Sequence, residues 1–327
     1  MKKILVTGAA GFIGSHLVED IIKKGHPVKA FVHYNSSNFW SNLELIPPEI
    51  FKELEIYSGD IRDFDAVSKA MSGCSEVFHL AALIGIPYSY VSPLAYIQTN
   101  IVGTYNILEA ARLLTLENII ITSTSETYGT AQYIPIDEDH PKVGQSPYSA
   151  SKIAADQLAT SYFLSFGLPV KIVRPFNTYG PRQSARAIIP TIIAQLLDPR
   201  TATVHLGNLY PTRDLTFVKD TVKGFMAIAA TEQCNGQATN IGMSKEIPMQ
   251  DLVQKIIELT GIEKPVKTEV KRARKNTSEV DRLCCNNEKL IKLTKWHPDY
   301  DLESGLKETI SYVKSRLSFY KSHLYNI

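Results

Sequence analysis

Cysteine is scarce in this 327-residue chain: Cys74, Cys234, Cys284 and Cys285 are all there is, with no Cys-x-x-Cys pair and no spacing to histidine that would hold zinc. A disulfide scaffold and a zinc module are thereby excluded, no metal site is expected, and a reducing, cytoplasmic setting is the plain expectation. No run of about eighteen apolar residues occurs, so no membrane-spanning helix is expected. Met1-Lys2-Lys3 before Ile4-Leu5-Val6 imitates the opening of a secretory signal, but Gly8, Gly11 and Gly14 break the apolar stretch and His16, Glu19 and Asp20 follow. The expectation is therefore no signal peptide. Charge of one sign is not in excess: Lys+Arg 35 against Asp+Glu 33 leaves a formal net charge of +2, which recommends neither nucleic acid nor an anionic membrane as partner. Internal repeats, low-complexity tracts and composition-marked linkers are also missing.

What is present is length enough for a large core and an early glycine turn. Thr7-Gly8-Ala9-Ala10-Gly11-Phe12-Ile13-Gly14 follows the apolar run Ile4-Leu5-Val6. A turn of this kind between a buried strand and an amphipathic helix brings backbone N–H groups against a dinucleotide pyrophosphate. Apolar, β-branched runs then alternate with helical patterns: Lys3 to Val6, Pro27 to Val32, Leu54 to Tyr57, Glu76 to Leu80, Asn118 to Thr122 and Pro169 to Val173. Such alternation predicts an α/β, Rossmann-type doubly wound parallel sheet with right-handed crossovers. Pro93 to Leu114 and Tyr148 to Phe166 read as long helices with apolar residues on more than one face, a pattern that fits packing against another subunit. After Pro175 the sequence turns to short, turn-rich segments. We expect a dinucleotide-binding domain over residues 1–174, with later segments returning to it, and a smaller, interleaved substrate lobe mainly over 175–327.

Tyr148-Ser149-Ala150-Ser151-Lys152 sets a phenol and an ammonium on one face of a helix. A phenol, with an ordinary pKa near 10, becomes a usable base where a cation favours its ionised form. Ser123-Thr124-Ser125-Glu126 ends a predicted strand in the same α/β unit, and ligands of open α/β sheets lie beyond the carboxyl ends of strands. A hydroxyl, a phenol, an ammonium and a carboxylate can therefore converge beside the dinucleotide.

With the glycine loop, Asp60-Ile61, His79-Leu80-Ala81-Ala82, Thr99-Asn100, Tyr148/Lys152 and Arg174-Pro175-Phe176-Asn177-Thr178-Tyr179-Gly180-Pro181 taken together, the chain resembles the extended short-chain dehydrogenase/reductases of the NAD-dependent epimerase/dehydratase family. The resemblance runs over nearly the whole length. It implies that Gly8, Gly11, Phe12, Ile13, Gly14, His33, Asp60, Ile61, Leu80, Ala81 and Ala82 hold the cofactor, with Asp60 and Ile61 flanking the adenine. It makes Tyr148 the catalytic base, Lys152 the residue that holds the nicotinamide ribose and lowers the tyrosine pKa, and Thr124 a partner of the substrate hydroxyl. Asn177, Arg213 and Arg274 look like ligands of a sugar-nucleotide diphosphate, and Tyr88 like a wall of the sugar pocket. Relatives pair the two long helices into a homodimer.

Thr124-Ser125-Glu126 bears on the reaction. Simple 4-epimerases of the family need no acid there, whereas in 4,6-dehydratases a glutamate removes the C5 proton and an aspartic acid often protonates the leaving C6 hydroxyl. Glu126 fits the base. The place of the acid holds Ser125, as in the GDP-mannose dehydratases, so that Glu126 could serve both steps. UDP-glucuronate decarboxylases share Thr-Ser-Glu, but Leu206-Gly207-Asn208 with Arg213-Asp214 looks more like the dehydratases. Segments such as Tyr128 to Tyr133, Pro87-Tyr88-Ser89-Tyr90 and Ser278-Glu279-Val280 are similar to dehydratases of the legionaminic acid pathway, which act on GDP- or UDP-N-acetylglucosamine. The expectation is a nucleotide-sugar 4,6-dehydratase, with 4-epimerase, uronate decarboxylase and a non-catalytic NAD sensor as alternatives. His33, Tyr34, Asn35, Ser36 and Ser37 stand where an acidic residue would select NAD or an arginine NADP; NAD is chosen on family frequency, with NADP kept open. Against these roles stand ordinary ones: Ser125 and Glu126 as helix caps, Tyr88 and Tyr90 as packing, Asn177 as a turn residue, Arg274 as a solvated charge.

Overall fold

The computed structural model describes residues 3–272 and 278–324. Twelve strands are described: β1 (Lys3–Thr7), β2 (Val28–His33), β3 (Leu54–Gly59), β4 (Cys74–His79), β5 (Asn118–Thr122), β6 (Val170–Pro175), β7 (Asn177–Tyr179), β8 (Val204–Leu206), β9 (Thr212–Phe217), β10 (Ala238–Ile241), β11 (Glu246–Pro248) and β12 (Val266–Thr268). Seven of them form one parallel sheet in the order β10-β6-β5-β4-β1-β2-β3. The chain leaves β1 for β2 and β3 on one side and returns to β4, β5, β6 and β10 on the other. The point of reversal lies between β1 and β4, where such sheets open a ligand crevice beyond the strand ends.

The expected Rossmann-type sheet is thus present, and its strands are apolar because both faces are covered. Ile4 and Val6 face a cluster with Leu17, Val18 and Ile21 of the helix Phe12–Lys23, while Leu5 faces Val67, Val77 and Ile107 on the other side. Each such buried side chain contributes about 1.5–3 kcal/mol relative to exposure. One feature departs from the sequence expectation. Pro93 to Leu114 is not one α-helix: Pro93–Tyr96 leads into a π-helical turn, Ile97–Val102, before the helix Gly103–Leu113. The seventh strand of the large sheet, β10, comes from far beyond residue 175.

The smaller sheets, β11-β9-β7 and β12-β8, pack with a third core of Ile189, Ile192, Ile193, Leu252, Ile256 and Leu306. The four cysteines carry no disulfide. Among the described residues no helix is long and apolar enough to cross a membrane, and no cluster of His, Cys, Asp and Glu is arranged to hold a metal ion.

Candidate active site

Where the strand order reverses, a cleft of about 1040 Å³ runs from the glycine loop to the small sheets. Its floor at one end is backbone. Gly8 leaves β1 at φ +67°, and a Cβ there would sit 2.7 Å from the Ala81 nitrogen. Gly14 packs so tightly that a Cβ would lie 2.1 Å from the Gly8 oxygen. Gly11 is the N-cap of the helix Phe12–Lys23, so the free N–H groups of the first turn look into the cleft beside Phe12 and Ile13. This cradle, which a side chain at Gly8 or Gly14 would fill, fits the pyrophosphate of a dinucleotide.

His33 at the end of β2, Asp60 and Ile61 after β3, and Leu80, Ala81 and Ala82 after β4 line the same end. Asp60 is held by Arg62, whose Nε reaches both carboxylate oxygens at 3.0 Å and whose hydrogen bonds, helped by its charge, keep the carboxyl below its ordinary range. Arg62 also lines the cleft, a placement that the sequence reading missed although the Asp-x-Arg spacing allowed it. Behind Ala81, His79 bridges Thr7 at 2.8 Å and Thr104 at 3.2 Å, and burial pushes its imidazole down to about 3.

Thr124, Ser125, Glu126 and Tyr148 line the other end together. β5 delivers the first three: the Thr124 hydroxyl accepts a hydrogen bond from the Glu126 N–H at 3.3 Å and so caps the 3-10 turn Ser125–Tyr128. The capping function thus falls to Thr124, and neither Ser125 nor Glu126 caps this turn. Tyr148 stands in the first turn of the helix Pro147–Phe166, fixed by a capping box between Ser146 and Ser149. Its hydroxyl is hydrogen-bonded with Thr124. Burial pushes the Tyr148 phenol well up; the Thr124 hydrogen bond and the charge of Arg186 act against this, and Glu126 and Tyr96 reinforce it.

Lys152, one turn on, is buried and does not form part of the cleft wall. Burial pushes its ammonium down to about 8 and Asp156 opposes that. Asp156, on the same helix face at the next turn, was not singled out in the sequence, although the i, i+4, i+8 series Tyr148, Lys152, Asp156 carried the signal. Its Oδ2 accepts hydrogen bonds from Ser123 at 2.8 Å and from Arg174 at 2.9 and 3.1 Å. Arg174 continues to Tyr128 at 2.9 Å and Tyr128 to Asn240 at 2.7 Å, a buried chain of bonds that ties β6 and β10 beneath the site.

Asn177 on β7 lines the cleft, and its buried Oδ1 meets no partner among the described residues, which leaves a polar group to be met by a ligand. Arg213 on β9 also reaches the cleft, with its guanidinium on the carbonyls of Thr212 and Val280, each at 2.8 Å, and on Glu279 at 3.3 Å. Arg274 lies outside the described residues. Tyr88 does not line the cleft. The helix Ile86–Val91 turns Ile86 and Pro87 inward, whereas Tyr88 is exposed and packs on Tyr96, ring centroids 6.2 Å apart.

The family model described as GDP-mannose 4,6 dehydratase matches residues 5–309. The UDP-N-acetyl-alpha-D-glucosaminuronate decarboxylase of Bacillus cytotoxicus is 34% identical over 324 residues, 96% of this chain and 98% of that one. Among solved structures, a dTDP-glucose 4,6-dehydratase from Streptomyces venezuelae with NAD bound superposes with a TM-score of 0.87 at 26% identity, covering 98% of this chain and 99% of that one. The UDP-glucuronic acid 4-epimerase of Bacillus cereus, in complex with UDP-glucuronic acid and NAD, gives 0.85 at 28% identity, covering 96% and 99%. Dehydration, decarboxylation and epimerisation of nucleotide sugars all occur among these relatives, so membership alone leaves the reaction open. The chain belongs to the GDP-mannose 4,6 dehydratase family, within the extended short-chain, NAD-dependent epimerase/dehydratases.

Proposed function

We propose that the chain is an NAD-dependent nucleotide-sugar 4,6-dehydratase, a hydro-lyase that converts GDP- or UDP-N-acetylglucosamine to the 4-keto-6-deoxy sugar. The observation that carries this reading is the Glu126 carboxylate, set in the cleft beside Tyr148 and Thr124. A simple 4-epimerase has no use for a carboxylate there, whereas an elimination across C5 and C6 needs a base at C5. When bound, NAD would supply the hydride acceptor for C4 and the hydride donor for C6, with C5 then taking up one proton in balance with the one released from the C4 hydroxyl.

The chain's own groups divide the remaining work. The glycine turn and the helix N-terminus would hold the pyrophosphate, Asp60 and Ile61 would flank the adenine, and Lys152, buried outside the cleft wall, would meet the nicotinamide ribose once its side chain turns toward the cleft. Tyr148, sharing the substrate hydroxyl with Thr124, takes the C4 hydroxyl proton. Oxidation at C4 acidifies the C5 proton, which Glu126 removes. The electron pair left at C5 expels the C6 hydroxyl, and the proton held by Glu126 leaves with it as water, with Ser125 standing beside the departing group. Asn177, Arg213 and Arg274 bind the diphosphate. Residues 1–174 with β10 form the cofactor domain and mainly 175–327 the nucleotide-sugar lobe. We further propose a homodimer, supported by the exposed apolar residues Leu94, Ile97 and Tyr105 on one long helical segment and Leu164 and Phe166 on the other.

The Bacillus cytotoxicus relative favours a second reading, decarboxylation of a UDP-sugar uronate. Purified protein with its retained cofactor, incubated with GDP- and UDP-N-acetylglucosamine and followed by mass spectrometry, separates the readings. Loss of one water, abolished in Glu126→Gln while C4 oxidation persists, is the expected result. Unchanged mass with inverted C4 overturns it in favour of an epimerase. Carbon dioxide released from UDP-N-acetylglucosaminuronate favours the decarboxylase, and inertness toward all three with NAD bound favours the sensor.

A further inference from the structure

Arg186 has no role in the reaction as described so far. It lies in the loop between β7 and the helix Ile188–Leu197, half-buried, and lines the cleft at the end that holds Tyr148 and Glu126. Among the described residues its guanidinium meets no carboxylate within ion-pair distance. A half-buried charge with no counter-charge among the described residues is less screened than a paired surface charge.

The loop has a defined seat. The Arg186 Nη1 covers Gly85 so closely that a Cβ on that glycine would lie 2.4 Å from it, and the same Cβ would lie 3.4 Å from the Tyr96 hydroxyl. Tyr96 donates its hydroxyl to the Gly85 carbonyl at 2.5 Å and sets its ring edge against that of Tyr148, centroids 6.2 Å apart. Gly85 is at φ −74°, an ordinary backbone conformation, so what its missing side chain provides is room for the guanidinium.

From this geometry we propose that Arg186 is a positioning residue for proton transfer: seated on Gly85, it holds its positive charge toward Tyr148 and keeps the phenol ionisable in the closed cleft. The groups that face Tyr148 are few. Thr124 and Glu126 come from the segment after β5, Tyr96 from the helix Pro93–Tyr96 and Arg186 from the loop after β7, while Lys152 lies one turn along the phenol's own helix. Glu126 and Tyr96 disfavour phenolate, and Lys152 sits under the counter-charge of Asp156. Among the described residues Arg186 is a cation that bears on Tyr148 from an element other than the phenol's own helix, against the larger effect of burial.

The proposal rests on Tyr148 being the base, and its test is chosen so that the two fail separately. The readout is the pH dependence of first-turnover nicotinamide reduction on addition of nucleotide sugar, a step shared by dehydration, decarboxylation and epimerisation. In Arg186→Gln the acid limb moves to higher pH by about one unit, with Arg186→Lys restoring most of the shift. Gly85→Ala, which displaces the guanidinium without removing its charge, moves the limb in the same direction. The ultraviolet difference titration of tyrosinate, taken against Tyr148→Phe, reports the same shift without substrate. An unmoved pH profile in Arg186→Gln overturns the proposal, and a raised KM with an unmoved profile reassigns Arg186 to substrate binding. Full activity in Tyr148→Phe removes the base assignment itself.

Discussion

At the scale of single residues, the groups that face the cleft stand apart from groups that burial merely silences. His79 belongs to the second kind. It is fully enclosed between Thr7 and Thr104, and its imidazole is pushed from 6.5 down to about 3, so it stays neutral in the folded protein. The unfolded chain binds this proton below about pH 6.5 and the folded chain does not until about pH 3. Stability from His79 is therefore fully present above pH 6.5 and is lost as pH falls through that window, by on the order of 5 kcal/mol. His79→Gln should flatten the slope of unfolding free energy between pH 6.5 and 3 relative to the parent, as read by denaturant titrations at successive pH values. An unchanged slope would mean that the imidazole is protonated in the native state. Tyr148 and Glu126 face the cleft instead, and that placement was legible because residue type and strand-end position sufficed. Asp156 was not, since a carboxylate in mid-helix reads as a surface residue until the Arg174 guanidinium is seen behind it.

At the scale of elements, the glycine turn converts sequence spacing into geometry. Gly14 lets the helix Phe12–Lys23 descend onto β1, and the 2.1 Å separation between its missing Cβ and the Gly8 carbonyl leaves no room for a methyl group. Gly14→Ala should lower stability by about 1–3 kcal/mol through this overpacking and release NAD on gel filtration. Gly11→Ala, whose Cβ meets only the Gly8 oxygen at 3.0 Å, should be milder in stability while still losing cofactor affinity. Retention of NAD by both variants would remove the cradle's role. The neighbouring helical segment shows where pattern reading stops. Apolar periodicity over Pro93 to Leu114 cannot report one extra residue in a turn. The π-helical stretch Ile97–Val102 is instead tied to Asn100, whose side chain must meet both Leu83 backbone groups and the Ser151 hydroxyl, each at 2.9 Å.

At the scale of the whole molecule, the large sheet could be read from the sequence because each parallel strand is a short apolar run, buried on both faces and separated by a helix. Which later segment returns to it could not be, since Ala238–Ile241 is brief and its place beside β6 depends on contacts made far along the chain. The same limit hid the loop that carries Arg186 over Gly85. One surface remains unaccounted for by a single chain. Leu94, Ile97, Tyr105 and Leu113 on one helical segment and Leu164 and Phe166 on the helix beside it are all exposed, with Leu164 at 75%. An apolar stripe shared by two adjacent helices matches the self-complementary patch of a two-fold interface. Light scattering on the eluting protein should therefore give twice the 36.5 kDa chain mass. Leu94→Glu combined with Leu164→Glu should bring it to one chain mass, because two carboxylates per chain would be desolvated at the interface without partners. The helix Pro147–Phe166 carries Tyr148 in its first turn, so dimer loss should also loosen the reacting end, and the variant should lose turnover faster on warming than the parent. A parent protein that elutes as a single chain would leave the stripe to another partner and end the two-fold assignment.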